Sequence, residues 1–352
     1  MSAKKDWFRW GATVAAVLVI VYSLGYLPTP YVVYKPGLAV DVGPMVHVAE
    51  ADAAADSVMM LTTVRQLYPN WLLFWYARVH PDWDIYKKSD IFREGESREE
   101  YSQRQQYVML SSQSSAMQAA YRAAEIPYEL AYEGVIVLRT IPGMPAADKL
   151  RSGDRIVTVN DEKITRSDEL ISLVSGAAIG DSYTIVVMRG EEAVESEIEI
   201  GDFSRLPDSS NGTEKQQPGL GIQLADLIAV RAETASKQVV IQVDDIGGPS
   251  AGLIFALEIY DQLTQGDLSR GHRIAGTGEM DTNGTVGAIG GVKHKVVAAH
   301  EQQADIFFTP TSNAAEAAAK AKAIGTEMKV VPVANLKSAI DYLEQLPPKG
   351  DE

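Results

Sequence analysis

The first strong hydropathy feature is an uncharged run from Gly11 to Leu27. With Trp10 included it reaches the lower limit for a helix that crosses a bilayer. Trp7, Trp10, Tyr22 and Tyr26 stand toward its ends, where an aromatic belt sits, and Lys4, Lys5 and Arg9 precede it. By the positive-inside rule this pattern predicts a single span at 11–28, with the tail 1–10 cytoplasmic and the bulk of the chain outside the cell membrane. A cleaved signal peptide has a similar charged start and apolar middle, but no clear small-x-small site follows before Pro28-Thr-Pro30.

From 29 to 127 the pattern is mixed, and it is assigned to one extracytoplasmic region. Tyr31–Tyr34 before Pro36-Gly37 predicts a short strand and turn. The runs Val58–Val64 and Trp71–Tyr76 are too short to span a membrane and fit buried strands or helix faces. Core packing is the expected role of Trp71 and Trp75, against the alternative of an exposed membrane or partner site. The polar stretch after Arg93 predicts a helix from Glu99 onward.

Between 128 and 202 the period changes. A strand from Gly134, a short helix at Ala146–Leu150, a Gly153-Asp154 turn and a strand ending in the Asn160-Asp161 turn follow in order. A helix at Ser167–Ser175 and a strand at Tyr183–Met188 complete the unit. The stretch 203–218, rich in Ser, Pro, Gln and Gly, is expected to be a linker.

The segment 219–347 alternates regularly. Strands are expected at Val239–Val243, Asp305–Thr309 and Met328–Val333. Two more, Arg273–Glu279 and Thr285–Ile289, flank the hairpin signal Asp281-Thr-Asn-Gly284. Helices are expected at Ser250–Tyr260, from about Lys293, at Ala314–Ala323 and at Asn335–Leu346. The fold class expected is therefore multidomain α+β behind a transmembrane helix.

Composition narrows the chemistry. The net charge is −15, which argues against nucleic acid as a partner, since phosphate binding needs a basic surface. There is no cysteine, so disulfides, thiol nucleophiles and thiolate metal sites are excluded. The five histidines show no close metal spacing, and no metal or cofactor is expected.

Gly247-Gly-Pro-Ser250-Ala-Gly252 places a serine at a helix start after a glycine-flanked loop, where unpaired N–H groups can receive an oxyanion. Taken alone, Ser250 reads as a helix N-cap. It has company, however: Gly276-Thr-Gly-Glu279 and Gly287-Ala-Ile-Gly-Gly-Val-Lys293-His-Lys-Val-Val-Ala-Ala-His300 follow in order. Together the three stretches resemble the signatures of the Lon protease domain, with a similar serine-to-lysine spacing.

That resemblance implies a Ser–Lys dyad of Ser250 and Lys293, with Thr277 in a supporting role. Lys295 is expected to point elsewhere into solvent. The amides of Gly248 and Ser250 are the candidates for an oxyanion hole. The family's ATP-dependent members usually have an acidic residue three before the serine, whereas Gly247 stands here with Asp244 and Asp245 upstream.

The unit 128–202 resembles a PDZ domain of the bacterial protease type, on the stretch Leu150-Arg-Ser-Gly-Asp-Arg-Ile-Val-Thr-Val-Asn160. PDZ domains capture extended peptide ends at a sheet edge. Tyr132, Glu133, Gly134 and Val135 are placed where the carboxylate loop is expected, without the usual double glycine. A purely structural spacer is the alternative.

No Gly-x-x-x-x-Gly-Lys-Ser/Thr phosphate loop occurs, so no ATP requirement is expected. Anchor, PDZ and Lon-type domain together resemble the anchored PDZ–Lon peptidases of Gram-positive bacteria. They imply an ATP-independent endopeptidase acting on extracytoplasmic proteins or peptides, in a homo-oligomer. A PDZ-based scaffold with an inert site, a holdase and a self-processing protein are the competing readings.

Overall fold

A computed structural model describes residues 2–51, 58–205, 217–243 and 246–350, with the side chains of 2–6 and 205 excepted. Asp244 and Asp245, and most of the expected linker (206–216), lie outside the described residues.

The N-terminal helix Ser2–Tyr26 contains a window, Trp7–Tyr26, of mean hydropathy 1.6, none of it buried against the rest of the chain. Length and composition suit a membrane span or a signal sequence equally. The chain then enters a six-stranded mixed sheet whose spatial order is Lys329–Val333, Ile306–Pro310, Arg273–Gly276, Val58–Leu67, Tyr31–Asp41 and Asp84–Lys87. The first three strands run parallel to each other and to Val58–Leu67, while Tyr31–Asp41 lies antiparallel between Val58–Leu67 and the edge strand Asp84–Lys87.

This sheet corrects the expected partition. Residues 29–127 are not a separate region. Strands Tyr31–Asp41, Val58–Leu67 and Asp84–Lys87 form half of the sheet that carries the C-terminal strands, and Val239–Ile241 pairs with Val46–Val48. The domain expected at 219–347 is therefore one part of a discontinuous unit. Its core joins Met59 and Leu61 from the N-terminal part to Leu253, Ile254, Phe255, Ile274 and Phe308 from the C-terminal part. The apolar runs called from sequence resolve into a strand over Val58–Leu67 and a helix over Trp71–Val79.

The PDZ-like unit is inserted into this frame. Its sheet runs Ile222–Ala232, Tyr128–Thr140, Arg155–Val159, Ser182–Arg189 and Glu192–Glu199 around its own core, which includes Val135, Ile156, Leu170 and Ile198. The strand Ile222–Ala232 lies beyond the expected boundary at 202 and is paired along its length with Tyr128–Thr140. The insertion leaves where it entered, as the Glu233 amide donates to the Pro127 carbonyl at 3.1 Å.

One long helix, Arg98–Ala123, touches both units. Ser97 caps it, accepting from the Glu100 amide while the Glu100 carboxylate accepts from the Ser97 amide, a reciprocal capping box. Its buried residues Met109, Ala116, Ala119, Ala120 and Tyr121 join the core of the discontinuous unit. The same helix packs along Tyr128–Thr140 and Ile222–Ala232 of the inserted sheet.

Candidate active site

Ser250 stands on a short 3-10 turn, Pro249–Ala251, that leads into the buried helix Gly252–Leu263. Gly248 just before it has φ +93°, a conformation that side-chain-bearing residues rarely adopt, so glycine is required there. Gly252 is needed for a different reason. A Cβ on it would lie 2.8 Å from both Met280 Cβ and Ser112 Oγ. The turn is held from two sides: the Ser112 hydroxyl of the long helix donates to the Pro249 carbonyl at 2.8 Å, and the Gly278 amide donates to the Ser250 carbonyl at 2.9 Å.

The structure brings Lys295, not Lys293, to the serine. Lys295 Nζ lies 2.6 Å from Ser250 Oγ and 2.9 Å from Thr277 Oγ1. The Thr277 hydroxyl in turn donates to the Ser250 carbonyl at 3.0 Å. Thr277 is fully buried and Lys295 is 3% exposed. No carboxylate is paired with Lys295 among the described residues. Burial alone pushes its pKa down to about 7, because the charged form loses hydration that nothing replaces. An amine in this state has a lone pair near neutral pH. With one N–H directed at Thr277 Oγ1, that lone pair can face the Ser250 hydroxyl.

Lys293 sits on the opposite side of the helix Val292–Glu301. Its ammonium lies 2.9 Å from Asp84 Oδ2, and its side chain is 42% exposed. The hydrogen bond and charge of Asp84 raise its pKa, so Lys293 is held protonated, which is the wrong state for a base. His294 Nε2 also approaches Asp84, at 3.0 Å, and burial lowers its pKa.

The correction has a plain geometric origin. Two residues on a helix differ by about 200° in direction, so only one of the two lysines can share the core face. Val292, Val296 and Ala299 form that face. Lys295 stands three after the first and four before the last, whereas Lys293 has that spacing to Val296 alone. That periodicity was present in the sequence and favours Lys295, and the burial of Lys295 against Ser250 decides it.

The oxyanion candidates divide. The Gly248 amide donates to the Gln105 carbonyl of the long helix at 3.0 Å, so it is not free to meet a substrate in this arrangement. The Ser250 amide has no hydrogen-bond partner among the described residues. Ser112 and Gln105, which hold the nucleophile turn from behind, gave no sequence signal, as they lie more than a hundred residues upstream in an ordinary polar helix.

The expected peptide-binding residues Tyr132, Glu133, Gly134 and Val135 are also corrected. They lie inside a strand that is paired with Ile222–Ala232 on one side and, at Val135 and Ile136, with Arg155–Val159 on the other. At Val135 and Ile136 both sides of the strand are therefore taken. Among the described residues the sheet ends at Glu192–Glu199 on one side and at Ile222–Ala232 on the other, each paired on one side only. Gly219-Leu220-Gly221 leads into Ile222–Ala232, with Gly221 at φ +82°, and the helix Ser167–Ser175 stands beside that strand. The Ser167 amide at that helix's start donates to Asp226 Oδ1 on the edge strand at 2.6 Å.

Fold and site together define a class: a PDZ-like module inserted into a mixed α/β domain with a serine, a lysine and a threonine at its centre. Residues 243–345 match the family model of the Lon protease (S16) C-terminal proteolytic domain, and residues 108–200 match that of the PDZ domain. The chain therefore carries a Lon-type proteolytic domain and a PDZ domain. Among curated relatives, the Lon protease of Mesomycoplasma hyopneumoniae is 34% identical over 96 residues, which is 27% of this chain and 11% of that protein. The Lon protease of Aster yellows witches'-broom phytoplasma is 32% identical over 96 residues, 27% of this chain and 12% of that protein. The matched part is thus a small fraction of those relatives' length. Among solved structures, the PDZ domain of an SdrC-like protein from Listeria monocytogenes is 27% identical, covering 27% of this chain and 92% of that domain with a TM-score of 0.23.

Proposed function

We propose that the protein is a membrane-anchored serine endopeptidase in which Ser250 is the nucleophile and Lys295 its base. The observation that carries this reading is the 2.6 Å approach of a fully buried, unpaired lysine to the hydroxyl of a serine at a helix start. A buried lysine without a carboxylate is costly, and its use is as a neutral amine. Lys295 takes the Ser250 proton as Oγ bonds to the peptide carbonyl carbon. The same proton then passes to the leaving nitrogen as the C–N bond breaks. Water, activated by the amine, hydrolyses the resulting ester. Thr277 orients the amine, and the Ser250 amide supplies one oxyanion donor.

Catalysis needs no ATP, which agrees with the lack of a phosphate-loop motif in the sequence. The PDZ edge Ile222–Ala232, approached over Gly219-Leu220-Gly221, takes the ends of extended peptides by strand addition. The N-terminal helix anchors the chain with its bulk outside the cell membrane, and the substrates are extracytoplasmic proteins or peptides.

The test is degradation of an unfolded protein by the full chain in vesicles without ATP. The parent and Lys293→Ala are expected to cleave, while Ser250→Ala and Lys295→Ala are expected to be silent. Cleavage by Lys295→Ala would overturn the assignment of the base. Activity in Ser250→Ala would overturn the mechanism. Cleavage confined to the chain itself would favour self-processing.

A further inference from the structure

The helix Trp71–Val79 is amphipathic with its apolar stripe facing outward. Phe74 and Ala77 are buried against the domain, whereas Leu72 is 66% exposed, Trp75 57%, Tyr76 53% and Val79 80%. Those four positions follow the i, i+3, i+4, i+7 spacing that normally marks a core-facing stripe. A contiguous apolar face of this kind on a folded domain marks an interaction site.

What covers it is indicated by where it is tied. The Asn70 side-chain amide donates to the Gly25 carbonyl, near the end of the helix Ser2–Tyr26, at 2.6 Å. Pro28 and Asn70 form a β-bridge, and the Thr29 amide and hydroxyl both donate to the Pro69 carbonyl, at 3.2 and 2.8 Å. Asn70 also caps the exposed helix, accepting from the Leu73 amide at 2.8 Å. One residue therefore fixes the start of the exposed helix to the outer end of the apolar one. Trp71, Phe74, Trp75 and Tyr31 form a continuous aromatic cluster at that junction.

We infer that Trp71–Val79 is an interfacial helix that lays Leu72, Trp75, Tyr76 and Val79 into the headgroup region of the bilayer crossed by Trp7–Tyr26. Tryptophan and tyrosine favour that depth, and a short helix with an apolar face lies in the plane of the interface. The contact makes a second attachment beside the span. It restricts how the catalytic domain tilts over the membrane. The inference rests on the anchored reading of the N-terminal helix.

The chain has no cysteine, so a single introduced thiol reports one position. Val79→Cys and Leu72→Cys are each labelled with an environment-sensitive fluorophore in the full chain, reconstituted in vesicles containing lipids with a nitroxide on the upper acyl chain. Lys337→Cys, on a solvent-exposed site of the distant C-terminal helix, is the control. Quenching by the lipid nitroxide and blue-shifted emission at positions 79 and 72, with neither at 337, is the result expected. Unquenched label at 79 and 72 in a chain that resists extraction by alkaline carbonate overturns the interfacial contact and leaves the anchor standing. Extraction of the chain by carbonate overturns the anchor and this inference with it. A 79–79 disulfide dimer without lipid quenching also overturns it, because a second copy would then cover the face.

Discussion

Lys293 and Lys295 show how much rests on direction at the scale of one residue. The first is charged, half exposed and bound to Asp84, and the second is buried and near neutral beside Ser250. Replacing Ser250 by Ala or Lys295 by Met is expected to lower kcat by roughly 10⁴-fold or more, since members of one catalytic unit fail together. Lys293→Ala should keep activity within a few-fold; single-turnover cleavage of a peptide distinguishes the two. The pH–rate profile is expected to rise through about pH 7 as Lys295 loses its proton. A folded pKa below that of the unfolded chain means stability that is full above pH 10.5 and is lost as pH falls through about 7. Lys295→Met should therefore raise Tm, by ~5 °C or more near pH 6 and less at pH 9, as seen by thermal unfolding. The three segments that meet at Ser250, Thr277 and Lys295 were legible in the motifs. Lys293 was expected beside the serine and Lys295 lies there instead, because a motif gives spacing along the chain whereas helical phase decides which side chain enters the core.

At the scale of elements, the helix Arg98–Ala123 has most to do with the site while holding none of its reacting atoms. Its Ser112 hydroxyl and Gln105 carbonyl hold the turn that carries Ser250. Ser112→Ala is expected to cut kcat about 3- to 10-fold with KM little changed, the loss of one partly buried hydrogen bond that positions the nucleophile. A second element carries a titration of opposite sign. Glu258, on the helix that follows Ser250, is buried, accepts from Gln262 Nε2 at 2.7 Å, and is pushed up to about 7 chiefly by burial. Its contribution is full below pH 4.5 and is lost as pH rises through about 7. Glu258→Gln should flatten the pH dependence of Tm between those values. Helices and strands were largely readable from periodicity; the role of the long helix was not. Its surface is polar and mostly small (Ser112, Gln113, Ser114, Ala116), and nothing local tells that Gly252 will close against it. The same limit applied to the PDZ edge: Gly219-Leu220-Gly221 lay beyond an expected boundary, and only the pairing of Ile222–Ala232 with Tyr128–Thr140 reveals that the domain returns for one more strand.

The whole molecule is a discontinuous proteolytic domain with a PDZ domain inserted between its halves. Pro127 and Glu233 meet at the root of the insertion. Replacing 128–232 by a short Gly/Ser linker is therefore expected to leave a folded catalytic unit that resists added protease and cleaves a short peptide, while losing any dependence on peptide ends. The three-part composition was legible, but the assignment of 29–127 to a separate region was not upheld. Parallel pairing across such a distance has no local signature, and the partners of Val58–Leu67 could be identified only in the folded sheet.

That pairing also sets a clock. The Thr62 hydroxyl that bonds the Gly276 carbonyl waits for a partner 214 positions further along the chain. At a synthesis rate of about 5–20 residues per second, roughly 10–40 s separate the emergence of the two. During that interval Val58–Leu67 can pair with Tyr31–Asp41 but lacks its parallel partner Arg273–Gly276, while the PDZ core, Val135 to Ile198, can already close on itself. The newborn chain therefore holds a formed PDZ unit before the surroundings of Ser250 are complete. Ser250 and Lys295 meet only after most of the chain has been made and the inserted unit has closed.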